Sequence, residues 1–155
     1  MENEEKRLRD DERWMRVALE EARMAAEAGE IPIGAVVVGP KGRLVGRGHN
    51  MTEALNDVTA HAEMQAITAS AQTLGGKYLT GCTIYVTVEP CPMCAGAIGW
   101  SQASRIVYGA PDPKRGYTTI LFPGLTPFHP KAEVTGGVLA DEAAALMKEF
   151  FAKRR

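Results

Sequence analysis

Two short motifs restrict the fold of this chain more than anything else in it. They are AHAEMQA, residues 60–66, with His61 and Glu63, and VEPCPMCAG, residues 88–96, with Cys91 and Cys94. One His, one Glu and two Cys stand among small and apolar residues, where a chain ordinarily places its core. If these side chains act together, the fold must bring two distant segments to one point. On a regular helix positions i and i+2 point about 200° apart, so His61 and Glu63 converge only near a helix start, where the first of them is not yet helical. Asp57 and Thr59 just upstream are suitable capping residues and place the start there. Pro92 suits a first helical position, which makes Cys91 the N-cap and puts Cys94 three residues on, along the same face. Both motifs are therefore expected at helix N-termini. The exposed N–H groups and positive dipole end there favour a thiolate, and any negative oxygen that develops in a reaction.

The segments around the motifs set the fold class. Trp14, Met15, Ala18, Leu19, Ala22 and Ala25 have helical spacing, and Gly29 supplies a stop. IGAVVV and RLVGRG read as two strands joined by the turn GPKG, and a helix is expected over about 60–74. CTIYVTV is a strand by alternation and β-branching, with Ile84, Val86 and Val88 on one face. A short helix from Pro92 to about Trp100 then leads to the strand RIVYGA, a run whose natural reading is a parallel crossover. The Pro- and Gly-rich PDPKRGYTTILFPGLTPFHPK is expected to be loop with one turn of helix, KAEVTGG a last strand, and the chain from Asp141 onward a helix carrying Leu146, Met147, Phe150 and Phe151. The expected fold is α/β, three layers in α/β/α order with a central mixed sheet. The 155 residues suit one domain, taken as residues 11–155, preceded by a charge-rich lead over residues 1–10 that is expected to fray.

Composition narrows the function classes. Hydrophobic residues at 45% and charged residues at 24% are those of a globular domain, and no apolar run reaches the roughly 20 residues of a membrane-spanning helix. A formal net charge of −1 provides no general attraction to nucleic acid, so a basic binding face would have to be local. MENEEKRLRDDER is too charged for a secretory h-region, and three cysteines, two in a C-x-x-C, fit a reducing compartment better than a disulfide framework; a cytoplasmic location is expected.

Ligand counting decides what kind of metal site the motifs make. One imidazole and two thiolates suit zinc, whereas a closed structural site wants four protein ligands. Cys82 is the candidate fourth, but it begins the strand that leads to Cys91, and an extended strand at ~3.3 Å per residue puts the two about 20–25 Å apart; it is expected to be a packed core cysteine. Three ligands leave room for water, whose pKa zinc lowers toward about 7. Glu63, beside the ligand but not needed as one, is then placed to move the proton. A lone C-x-x-C is ordinarily a redox pair and a lone His ordinarily a packed residue, but H-x-E followed by P-C-x-x-C is a far more specific combination, the signature of zinc deaminases.

HAE with EPCPMC resembles the cytidine deaminase superfamily. GAVVV, AHAEMQAI, YVTVEPCPMCAGAI, RIVYGA and GGVLADEAAALMKEFFAKRR together look like the tRNA-specific adenosine deaminases, a likeness running from about Trp14 to Arg155. The resemblance implies a cytidine deaminase-like fold in which His61, Cys91 and Cys94 hold zinc and Glu63 is the proton shuttle. It implies that the backbone N–H of Ala62 helps hold the oxygen, that Asn50 bonds the purine, and that the base is extruded into the pocket. It also implies a homodimer with the small-residue helix PMCAGAIGW at its interface, Ala95, Gly96, Ala97 and Gly99 permitting close approach; such residues equally suit tight packing within the chain. Asp112 and Lys114 in PDPKRG match residues the family places beside the tRNA backbone, while YTTILFPGLTPFHPKAEV departs from the family's pattern.

Substrate choice stays open at this level. A purine pocket needs apolar walls, for which Ile33, Val36 and Val88 are candidates. Such a pocket does not separate adenosine in RNA from free guanine, since guanine deaminases share both motifs. FFAKRR, aromatic and basic together, suits base stacking and phosphate contact, with Phe151 a substrate-binding candidate; Lys114 and Arg115 add charge. The same run also reads as a buried Phe pair ahead of a basic end that complements the helix dipole. The readings carried forward are a zinc-dependent deaminase making inosine in a tRNA anticodon loop, a guanine or other free-purine deaminase, and a non-catalytic zinc-stabilised RNA-binding or redox module. His49 is either a pocket-edge or a strand-end residue, His129 is expected to pack in its loop, Trp14 to anchor the first helix, and Trp100 to lie in the core or at the dimer interface.

Overall fold

A computed structural model of the chain describes residues 1–121 and 123–154. Phe122, in the Pro- and Gly-rich segment, and Arg155, which ends the basic C-terminal run, lie outside the described residues. The elements in chain order are α1 (Glu2–Glu27), β1 (Gly34–Val38), β2 (Leu44–His49), α2 (Ala62–Leu74), β3 (Thr83–Val88), α3 (Pro92–Ser101), β4 (Arg105–Ala110), the single turn α4 (Tyr117–Ile120), β5 (Glu133–Thr135) and α5 (Ala140–Lys153). The five strands lie in the order β2-β1-β3-β4-β5. β1 is antiparallel to both β2 and β3, and β3–β4 and β4–β5 are parallel, so the sheet is mixed as expected and α3 is the parallel crossover.

Strand alternation sends side chains to two cores. Ala35 and Val37 of β1, Ile84 and Val86 of β3 and Ile106 of β4 pack under α2 and α3, against Ala62, Ala66, Ala95 and Ile98. Val36, Tyr85 and Val107 point the other way, onto Met15 and Ala18 of α1 and Val138 ahead of α5. The helices lie close because glycine lets them. A Cβ at Gly46 would stand 2.1 Å from Ser70 Oγ and one at Gly48 2.6 Å from Gln65 Cβ, so β2 carries α2 directly on its backbone.

At the amino terminus α1 begins at Glu2, so the charge-rich residues 2–10 run into the same helix as Trp14. Glu2, Glu4 and Glu5 in its first turn complement the dipole there, and Arg7 pairs with Glu133, the first residue of β5. One turn further on, Asp11 is buried and binds Arg105 through both carboxylate oxygens, at 2.6 and 2.7 Å, while the Tyr85 hydroxyl donates to it at 2.9 Å. A charge-rich sequence cannot reveal that its first charged residue of consequence faces inward. Gly99, a candidate for contact with another chain, instead admits the backbone at Pro127, whose oxygen a Cβ would meet at 1.9 Å. Trp100 is not in the core: it is 85% exposed, while Trp14 packs at the edge of the α1 face as expected.

Candidate active site

The metal-ligating residues come from two helix starts on the same face of the sheet. His61 is the N-cap of α2 and Cys91 the N-cap of α3, with extended backbones at φ −73°, ψ 159° and φ −71°, ψ 167°. Pro92 opens α3 and keeps its fixed φ where no helical hydrogen bond is lost. The start of α2 falls later than the capping pattern suggested. Asp57 accepts the N–H and hydroxyl of Thr59 at 2.8 and 2.7 Å and closes the preceding turn, leaving His61 itself at the cap.

The three ligand atoms converge: His61 Nδ1 lies 3.7 Å from Cys91 Sγ and 3.4 Å from Cys94 Sγ, and the set spans no more than 4.8 Å. A tetrahedral zinc, with bonds of about 2.0–2.3 Å, separates its ligand atoms by roughly 3.5–3.8 Å, so the donors fit the ion. The Cys94 thiol, with His61, lowers Cys91 to about 4 despite burial, and the bond to Cys91 together with burial pushes Cys94 up. The same contact with Cys91 raises His61. Cys82 is not in the group; it is buried at the foot of β3, near the carbonyl of Thr80 at 3.9 Å. Among the described residues no fourth His, Cys or carboxylate joins the three.

Glu63 follows in the first turn of α2, 4% exposed, with burial raising its carboxyl to about 7. Ala62, between the two, is fully buried in the core, and its N–H belongs to the first turn, which has no acceptor within the helix. Glu63, His61 and Cys91 face a cavity of about 700 Å³. Ile33, Val88 and Ala110 make its apolar walls, Asp112, Lys114, Arg115 and Lys148 its polar rim, and Met147 and Phe151 close it from α5.

Most sequence candidates meet here. Val36 does not: the alternation that aims Ile84 and Val86 toward α2 and α3 turns Val36 onto α1, fully buried. Asn50 is buried after β2 but does not line the cavity, and its Oδ1 accepts the N–H of Thr52 at 3.3 Å. The C-terminal run divides. Phe151 faces the cavity, whereas Arg154 stacks 4.5 Å over Phe150 and donates to Gly29 O in a separate groove between α1 and α5, so it is not at the rim. His49 bonds Glu21 of α1 at 3.0 Å, which makes it a strand-end residue, and His129 is exposed, its Nδ1 accepting the N–H of Lys131. Among the cavity residues that had no place among the sequence candidates, two carry charge, Glu89 and Lys148. Glu89 was legible as the acid ahead of Pro90-Cys91, and Lys148 as the residue one helical turn before Phe151.

A metal held by three protein ligands beside a buried carboxylate is a hydrolytic site, since a structural zinc closes its fourth position with protein. Residues 8–110 match the cytidine and deoxycytidylate deaminase zinc-binding region, and the chain belongs to that family. It is 43% identical over 150 residues to the tRNA-specific adenosine deaminase of Bacillus subtilis, covering 96% of this chain and 92% of that protein. A structure solved in work on A-to-I editing by tRNA:A34 deaminases superimposes with a TM-score of 0.80 at 43% identity, over 86% of this chain and 98% of that one. The tRNA(Ile)-lysidine synthase of Deinococcus deserti is 49% identical over 140 residues, but these are 89% of this chain and only 26% of that longer protein.

Proposed function

We propose that the protein converts adenosine to inosine in the anticodon loop of a tRNA, at the wobble position, consuming water and releasing ammonia. The observation that carries this reading is the buried carboxylate of Glu63 beside His61, Cys91 and Cys94, on an apolar cavity whose rim is basic. Zinc on those three residues supplies the Lewis acidity that makes water nucleophilic at neutral pH. Glu63 takes the proton from the attacking water, delivers it to the purine ring nitrogen, and then moves one to the departing amine. A carboxyl raised by burial to about 7 suits both directions of transfer at neutral pH. Ile33 and Val88 are suited to holding the flat base and Phe151 to stacking, while the N–H of Ala62, at a helix start, suits an oxygen developing negative charge. Asp112 and Lys114 are proposed to meet the RNA backbone beside the base, whereas Asn50, buried behind the cavity wall, is not given a contact with it.

Free guanine is the competing substrate, and salt separates the two. Binding that neutralises phosphates weakens steeply as salt rises, while a free base shows almost no such slope. On an anticodon stem–loop RNA, Lys114→Ala should weaken binding and reduce the salt slope by about one. If no RNA is deaminated at any salt while guanine turns over at a salt-independent rate, the guanine deaminase reading replaces this one.

A homodimer in the cytoplasm belongs to the same proposal. Trp100 and the half-exposed Tyr78 border a shallow apolar groove with Ile67 and Ala97, on the outer side of α2 and α3, that suits an interface. Sedimentation at micromolar concentration should return a dimer, and a fully active monomer would remove that part of the proposal.

A further inference from the structure

We propose that Glu89 is a positioning residue whose buried carboxylate clamps both ends of the cavity-rim loop 111–118 and so sets the affinity for RNA. The inference rests on the functional reading above in taking that loop as the substrate-binding rim. Glu89 stands at the end of β3, two residues before the metal-ligating Cys91, and is 5% exposed. A carboxylate so buried is costly unless its oxygens are satisfied, and here each oxygen has a partner in the loop. Oε1 accepts the N–H of Asp112 at 3.1 Å, and Oε2 accepts both the N–H and the hydroxyl of Thr118 at 3.0 and 2.7 Å.

The backbone repeats the arrangement. Glu89 N–H donates to Ala110 O at 2.8 Å, and Tyr117 N–H donates to Pro90 O at 2.9 Å. Within the loop, Gly116 N–H donates to Asp112 O at 2.9 Å, and Asp112 Oδ1 accepts the N–H groups of Lys114 and Arg115. The loop is thus a compact turn hung at its two ends from one side chain. Gly116 is the residue this demands, since a Cβ there would stand 2.2 Å from Glu89 Oε2. Glu89 borders the cavity, yet its three acceptor bonds all go to the loop and none to the space where a base would sit. Its effect on substrate is therefore exerted through Asp112, Lys114 and Arg115, which the loop presents at the rim.

The test uses the zinc-loaded full chain as wild type, Glu89→Gln and Thr118→Ala, the last removing from the clamp one hydroxyl of a residue outside the core. Glutamine keeps the shape of Glu89 but turns an N–H donor toward a donor. Amide exchange at Asp112 and Thr118 should accelerate in both variants, with zinc content equal to wild type. On an anticodon stem–loop RNA, KM should rise by about tenfold or more in Glu89→Gln and by less in Thr118→Ala, with kcat within about twofold, because the loop contributes binding and no proton transfer. Unchanged exchange at the two amides, or faster exchange with KM unmoved, overturns the proposal. A fall in kcat at constant KM also overturns it, by placing Glu89 at the reacting atoms. If the wild type itself turns over no RNA, it is the functional reading that fails, and the exchange comparison still decides whether Glu89 holds the loop.

Discussion

Glu63→Ala is expected to reduce turnover by at least ~10²–10⁴-fold, the usual loss of a general acid/base, while one zinc per chain remains bound. The loss should exceed that range if, as proposed, one carboxylate serves the attacking water, the ring nitrogen and the leaving amine in turn. Metal retention follows from geometry: His61, Cys91 and Cys94 form a compact donor set without Glu63, at 3.4 and 3.7 Å from the shared imidazole nitrogen. Glu63→Gln keeps the shape and removes the proton chemistry, so it should fail as completely as alanine. The measurements are zinc content and single-turnover rate on the same preparation. A variant that loses zinc along with activity would make Glu63 a ligand and end its assignment as the proton carrier.

Asp11→Ala is expected to lower stability by about 3–5 kcal/mol, the range for removing one partner of a buried ion pair. That is a large share of the 5–15 kcal/mol typical of a domain. Asp11 and Arg105 have side chains only 4% and 11% exposed, and Arg105 Nε already lacks a partner, so the guanidinium would be left buried with one bond, to Thr135. Tyr85, whose phenol burial pushes up, would lose the acceptor of its hydroxyl. Arg7→Ala is the comparison. Its pair with Glu133 is 50% and 62% exposed, and such surface pairs contribute about 0–1 kcal/mol. Urea unfolding of the zinc-loaded protein reads both. A loss below about 1 kcal/mol for Asp11→Ala would mean that Arg105 finds water or another partner, and that the pair does not pin α1 to the sheet.

The metal set and Glu63 were legible because their placement depends on local chain geometry. Two residues apart at a helix start and three apart behind a proline are statements about the first turn of a helix, and the backbone angles at His61 and Cys91 match them. Strand alternation likewise made Ile84 and Val86 readable as core. Whatever depended on which face a strand turns to its neighbour was not readable. Val36 went to α1 because the sheet is covered on both sides, and a strand of unbroken valines does not say which alternate faces the cavity. Asp11 and Glu89 look like surface charges in sequence, and each becomes a buried anchor only when Arg105 or the loop after β4 is carried to it. FFAKRR divides between the cavity and the α1 groove because successive helical residues point about 100° apart, while its one-dimensional pattern treats the run as one patch.

The sequence by itself determined the local donor set: one imidazole, two thiolates and one carboxylate, whose types and spacing suit zinc and hydrolysis. Tertiary structure alone decided what surrounds that chemistry, namely the cavity walls, the hanging of the rim loop from Glu89, and the helix that continues through the charged lead. The physical reason is range. Ligand spacing is set by bond geometry over a few residues, whereas burial of a charge is decided by a partner such as Arg105, which lies 94 positions along the chain from Asp11.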